Sequence, residues 1–171
     1  MSARPLHERL SFETGQGQVM DADRRYVLLR ADVLMGLFDL MPEPLAAQAL
    51  AAFAESVFKF GSGSVRAYAD TSDPDSRRLF AAVAQGASSL GWGVWEFDIG
   101  DRSCRLTVRN SPFAAAATTQ RPACSPILGM LRAVCEHAWK APCAIEELAC
   151  CAAEAPAGHR GQVCRFQAVA R

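Results

Sequence analysis

The sequence predicts an α+β domain, an antiparallel sheet of two hairpins packed against several helices. Three observations point there. The segments GVWEFDI (93–99) and CRLTV (104–108) alternate in the manner of half-buried strands, with Gly100-Asp101 as the turn between them. Four stretches, 32–41, 45–60, one opening at Asp73, and 125–139, carry apolar residues at helical spacing. Strands and helices do not alternate as βαβ units, which argues against a parallel sheet.

Taken in order, residues 1–17 are polar, contain Gly15 and Gly17, and are expected to form a flexible N-terminal arm; residues 18–171 then make a single domain. QVM, the turn DADR and RYVLL read as a hairpin over 18–30. DVLMGLFDLM (32–41) opens on Asp32, a residue type suited to an N-cap, and is apolar nearly all round. Such a helix needs cover on more than one side. It is either a central core helix or one that also packs on a second copy of the chain. Pro42 and Pro44 end it and start helix 45–60, striped by Leu50, Phe53, Val57 and Phe58 with alanines between them. Gly61-Ser62-Gly63-Ser64 is expected to stop that helix, and without GK[ST] it reads as a turn rather than a phosphate loop. Asp73-Pro74-Asp75 pairs an N-cap with Pro at N1, and Leu79, Phe80, Val83, Ala87 and Leu90 make the buried stripe of a helix ending near Gly91. Helix 125–139 buries Ile127, Leu128, Leu131, Val134, Cys135 and Trp139, and strands follow at 143–149 and 163–170.

Composition removes several function classes. Eighteen basic and eighteen acidic residues leave no net charge, whereas a nucleic-acid surface needs clustered cations. No apolar run reaches the roughly 18 residues that span a bilayer. MSARPLHERLSFETG lacks the apolar core of a secretory signal, so a cytoplasmic location is expected. Seven cysteines then favour metal ligation or buried thiols over disulfides. No GxSxG, HExxH, GxGxxG or paired-carboxylate constellation is present, and an enzyme is not expected.

The chemistry concentrates between Cys124 and Phe166. Cys124 stands at a helix start, Glu147 and Cys150 form an ExxC at a strand end, and Cys164 opens the final strand. Thiolates with a carboxylate make a tetrahedral zinc set, with sulfur at about 2.3 Å and oxygen at about 2.0–2.2 Å. Glu147 and Cys150 have opposite parity, so a straight strand would send them to opposite faces. The strand must therefore end or turn near Leu148. On spacing alone the alternative is that Cys124 and Cys150 are small buried hydrophobes. Cys151 is either core or a substitute for Cys150, and His159 is a substitute for Cys164.

This arrangement resembles the V4R (4-vinyl reductase) domain family, the small-molecule-binding domain that also serves as the sensor of phenol- and xylene-responsive activators. The matching residues are Cys124, Gly129 five positions on, Glu147, Cys150, and Cys164 with Phe166 after it; Asn110-Ser111-Pro112-Phe113-Ala114 looks like the segment just upstream. The chain departs from the pattern where the last two cysteines, normally about eight apart, are separated by fourteen.

The resemblance implies a structural zinc held by Cys124, Glu147, Cys150 and Cys164, and a ligand pocket walled by Leu106, Val108, Leu128 and Ile145. All four wall positions are aliphatic, so the implied ligand is a hydrophobic or aromatic molecule more apolar or bulkier than phenol. The alternative is that they fill a closed core. A homodimer is implied, as is a downstream protein partner if the module senses. Two rival readings stand beside this one. ELACCAA followed by CRF is similar to the end of bacteriochlorophyll-synthesis protein J, which suggests a tetrapyrrole accessory or carrier role. Trafficking-complex subunits of related fold use such a dimer as a scaffold without ligand.

Overall fold

A computed structural model describes residues 5–69, 76–154 and 163–171. A four-stranded antiparallel sheet carries the core. Its strands are β4 (Val94–Ile99), β5 (Ser103–Arg109), β6 (Cys143–Ala149) and β7 (Val163–Ala170), in the spatial order β4-β5-β7-β6. The last strand of the chain is thus inserted beside β5, which joins the expected 93–108 hairpin and the strands expected at 143–149 and 163–170 into one sheet. Trp95, Cys104, Leu106, Val108, Cys164, Phe166 and Ala168 are all buried, each with the parity its strand's alternation predicts.

Helices cover that sheet. α6 (Ser125–Trp139) lies over β6 and β7, and α4 (Ser76–Ser89) lies over β4. α3 (Glu43–Ala69) packs along α6 more extensively than any other pair of elements meets. This contact rests on Gly129: a Cβ there would sit 2.1 Å from the Ala54 carbonyl oxygen and 3.0 Å from Val57 Cβ. On the polar side of the same pair, Arg132 reaches Glu55 at 3.0 Å and Glu136 at 2.9 Å. Its guanidinium also lies 3.9 Å from the Phe58 ring centroid.

Three expectations are corrected. The stretch assigned to an arm contains α1 (Leu6–Arg9) and β1 (Ser11–Glu13), because Leu6 is buried, Arg9 binds Asp21, and β1 pairs antiparallel with β2 (Gln18–Asp21). With β3 (Arg24–Tyr26) these strands form a separate three-stranded sheet, so the 18–30 hairpin exists but stops at Tyr26. Second, α3 runs through Gly61–Ser64 instead of ending there. Gly61 faces Met130, where an added Cβ would meet the Met130 methyl at 3.1 Å, and Val65 beyond it is buried. Packing against α6 outweighs the low helix propensity of two glycines, about 1 kcal/mol each. Third, the cap of α2 (Ala31–Asp39) falls two residues early, at Arg30; Asp32 sits in the first turn and accepts from the Val33 N–H at 2.9 Å. The Asp73-Pro74-Asp75 helix start lies outside the described residues.

A polar knot at the end of α2 sets the approach to Cys124. Asp39 accepts from the Thr118 N–H and hydroxyl, each at 2.7 Å, from the Thr119 hydroxyl at 2.9 Å and from Arg121 at 3.1 Å. Arg121 is itself buried and also reaches Glu43 at 2.9 Å. Burial pulls the Asp39 pKa up, but the hydroxyl, amide and guanidinium donors outweigh it and hold the carboxyl below its ordinary 3.8. Asp39→Ala is expected to lower stability by about 3 kcal/mol, since it leaves the buried Arg121 only the exposed Glu43 as an ionic partner and removes the acceptor of Thr118 and Thr119. By the sign of the shift, the wild-type contribution is complete above the ordinary carboxylate pKa and disappears as pH falls through the lower folded value. Thermal melts of both proteins at neutral and acid pH check this: the gap between them must close on acidification.

Candidate metal centre

Each of the four predicted ligands is placed by a different structural device. Cys124 is the N-cap of α6, followed by Pro126 early in the first turn, where its missing N–H costs nothing. Glu147 lies on β6 opposite Phe166 of β7. Between Glu147 and Ala149 the β6–β7 register shifts, so Leu148 is an extra residue that bulges outward and is exposed. That bulge resolves the parity conflict seen in the sequence and lets Glu147 and Cys150 face the same point. Cys164 lies opposite Val108 in the β5–β7 ladder. Its position is therefore fixed by strand register rather than by the length of the preceding loop, which explains how the widened spacing is tolerated.

The result is a cluster in which the thiol sulfurs of Cys124, Cys150 and Cys164 and a carboxylate oxygen of Glu147 all lie within 4.8 Å of one another. Cys124 and Cys164 Sγ are 3.6 Å apart. Four ligands about 2.0–2.3 Å from a shared tetrahedral zinc stand about 3.3–3.8 Å from one another, so the sulfur pair already has the right edge length. The three cysteines are buried, and Glu147 Oε1 is a buried oxygen with no hydrogen-bond partner. A buried carboxylate oxygen without a donor is strongly disfavoured unless a cation meets it.

Electrostatics make the same demand. Cys150 is pushed well down by thiol hydrogen bonds from Cys124 and Cys164, opposed by its burial and helped by the Ala123 N–H. Cys124 is pushed up by its hydrogen bonds with Cys150 and Cys164 and by burial. For Cys164 the bond with Cys124 pulls down, but contact with Cys150 and burial win and the thiol moves up. Glu147 is raised to about 9, chiefly by burial and next by the charge on Cys150. Without a cation, crowding and burial thus favour the protonated forms of Cys124, Cys164 and Glu147. A bound divalent cation would displace those protons and let all four groups ligate.

Three thiolates and a carboxylate exceed the charge of one zinc, and neighbouring dipoles offset part of the excess. Ser111, the N-cap of α5 (Pro112–Ala116), has its hydroxyl 3.3 Å from Cys124 Sγ. The Cys151 N–H donates to Cys164 Sγ at 3.5 Å. The positive end of the α6 dipole lies at Cys124. Such outer partners orient ligands and tune a site. Ser111 was legible only as part of the NSPFA box, where Ser-Pro marks a helix start. Cys151 is part of the buried core, and its sulfur lies 3.4 Å from Cys164, a fourth thiol touching the cluster. His159 lies outside the described residues.

The predicted pocket residues share the inner face beside this cluster. Leu106 and Val108 are fully buried on β5, while Leu128 on α6 and Ile145 on β6 are half-buried and packed on the same core.

Fold and site together define an α+β domain whose sheet edge and helix start converge on a buried thiol–carboxylate cluster. This is the V4R-like fold. The chain is similar to the phenol-responsive sensory domain of the transcription activator PoxR, solved with phenol, at a TM-score of 0.78 and 17% identity over 96% of this chain and 86% of that one. A vinyl-4-reductase family protein from Methanocaldococcus jannaschii aligns at a TM-score of 0.47 and 13% identity over 82% of this chain and 90% of that one. No protein-family model and no curated protein sequence matches the chain.

Proposed function

We propose that this chain is a binding module for a small hydrophobic or aromatic molecule, with a structural zinc at Cys124, Glu147, Cys150 and Cys164. The observation that carries the metal half is the four-ligand cluster with its unpartnered Glu147 oxygen. Four protein ligands close a tetrahedral site, so the metal's part is to tie the start of α6 to β6 and β7 rather than to activate water. The ligand half is supported by likeness in fold to a domain solved with phenol, and by the register that sets Val108 directly against Cys164. A wall of Leu106, Val108, Leu128 and Ile145 would thus be held in shape by the metal. Its aliphatic character suits a ligand with less polarity or more bulk than phenol. Binding rather than catalysis is the role, and seven free thiols suit a reducing cytoplasm.

The module acts as a homodimer in this reading. Val27, Leu28 and Leu29 between β3 and α2, and Val33, Leu37 and Leu40 on and after α2, are all exposed, Leu40 by 89%. Six large apolar side chains so close in sequence form the kind of patch that a partner covers. Leu40→Asp is expected to convert a dimer to a monomer, as read by native mass spectrometry; a wild-type monomer at micromolar concentration would remove the claim.

The pocket is tested by titrating phenol, toluene and naphthalene into wild type and Val108→Trp while following melting temperature. Saturable stabilisation of the wild type, strongest with the more apolar compounds, is expected. The variant should retain its circular dichroism and lose the response. Normal binding by the variant would place the wall elsewhere.

A further inference from the structure

Cys151 is the thiol at the cluster that the proposed ligand set leaves free. It opens α7 (Cys151–Glu154), directly after Cys150, and α7 packs on α5, whose cap Ser111 touches Cys124. The Cys151 sulfur lies 3.4 Å from Cys164 Sγ, and the Cys151 N–H donates to the same sulfur at 3.5 Å. Cys104 and Cys143 turn their sulfurs elsewhere, toward the carbonyl oxygens of Arg105 and Ala141. Cys164 therefore has two kinds of sulfur neighbour: the thiols that would share a metal with it, and one that would not.

That contact is close enough for chemistry between the sulfurs. A disulfide holds its sulfurs about 2.05 Å apart, so this pair has roughly 1.3 Å to close. The backbone already favours the approach, because Ala149 pairs with Arg165 and the chain after β6 leaves the ladder beside Cys164. Access is one-sided. Cys164 is fully buried and Cys151 is 5% exposed, so the Cys151 side is the one that opens to solvent.

We infer that Cys151 and Cys164 form a peroxide-sensitive pair, whose oxidation to a disulfide takes Cys164 out of the ligand set and releases the metal. The inference rests on the zinc reading above and adds a means of regulating that site. The Cys151 sulfur attacks hydrogen peroxide: a sulfur–oxygen bond forms, the oxygen–oxygen bond breaks, and the thiol proton leaves with the departing hydroxide as water. The product is a sulfenic acid, which a neighbouring thiol condenses with. The Cys164 thiolate then attacks the Cys151 sulfur, the disulfide forms, the sulfur–oxygen bond breaks and hydroxide leaves. Two electrons pass from the two sulfurs to one peroxide. The ligand set falls from four to three, and Cys164, which stands against Val108 in the β5–β7 ladder, is drawn toward α7. Oxidation thereby acts on the wall of the proposed pocket as well as on the metal.

The test treats the full chain, loaded with zinc, with hydrogen peroxide. Zinc is followed with a chromogenic chelator too weak to strip untreated protein, and disulfides by mass spectrometry after alkylation in denaturant. Wild type is expected to release its zinc, to carry a disulfide between Cys151 and Cys164, and to reload when dithiothreitol and zinc are added. Cys151→Ala should hold zinc and release it at least tenfold more slowly. Cys143→Ala, which removes a more exposed thiol turned away from the cluster, should behave as wild type. If Cys151→Ala is purified without zinc, the disulfide map of oxidised wild type decides: 151 joined to 164 supports the assignment, and any other pairing overturns it. Zinc retained by wild type under peroxide, release from Cys151→Ala at the wild-type rate, a disulfide from Cys164 to Cys124 or Cys150, or loss that dithiothreitol and zinc do not reverse would each overturn this inference and leave the zinc site standing. Wild type purified without zinc would overturn both.

Discussion

Cys124→Ala is expected to strip the protein of zinc and lower its melting temperature by roughly 6–12 °C. The size follows from what the metal does. In zinc-finger peptides the metal supplies about 10–16 kcal/mol because nothing else holds them together. Here a full apolar core survives without it, so the loss is a fraction of that, about 3 kcal/mol, and a domain of this size moves about 2–4 °C per kcal/mol. A buried cysteine replaced by alanine loses some packing in any case, so the comparison that isolates the metal is with a chelator. Chelation should bring wild type down to the level of the variant and leave the variant unmoved. Cys151→Ala, which removes a thiol touching the cluster but outside the ligand set, should keep the metal. Wild-type protein purified without metal and indifferent to chelator would end the zinc reading.

Gly129→Ala is expected to destabilise by about 4 kcal/mol, against the direction that helix propensity gives. In an exposed helix interior that substitution adds up to about 1 kcal/mol of stability. At this position the new methyl would stand 2.1 Å from the Ala54 carbonyl oxygen and 3.0 Å from the Val57 Cβ. The clash is with backbone, which cannot swing aside, so α3 and α6 must separate by about an ångström, and overpacking of even ordinary severity costs about 1–3 kcal/mol. Because Cys124 caps α6, the same displacement should weaken metal binding. Urea denaturation together with a zinc-competition titration measures both effects. A variant as stable as wild type would mean that the two helices do not meet as described.

Much of this was legible in one dimension. Helix 125–139 and strands 143–149 and 163–170 fall where periodicity puts them, because each carries an apolar face; Lys140 in the left-handed region ends α6, and the bulge at Leu148 ends β6. The conflict in parity between Glu147 and Cys150 required a break near Leu148, and the register shift is that break. Other features were not legible. Gly61–Ser64 has the composition of a helix stop, and only Met130 and the neighbouring helix make it helical. The polar look of residues 6–13 hid one buried leucine, in an α1 that meets α4, and one arginine that ties α1 to the three-stranded sheet through Asp21.

The ligand set marks the same divide. Which residue types could take a metal was written in the chain, since cysteine and glutamate chemistry does not depend on context. That Cys164 belongs with Cys124, although it stands fourteen positions after Cys150, was decided by β7 inserting between β5 and β6, a pairing of strands distant in sequence. Sequence fixes side-chain chemistry and local period, because both act over a few residues. Strand order and helix approach depend on surfaces brought together from the whole chain, and those surfaces exist only once it has folded.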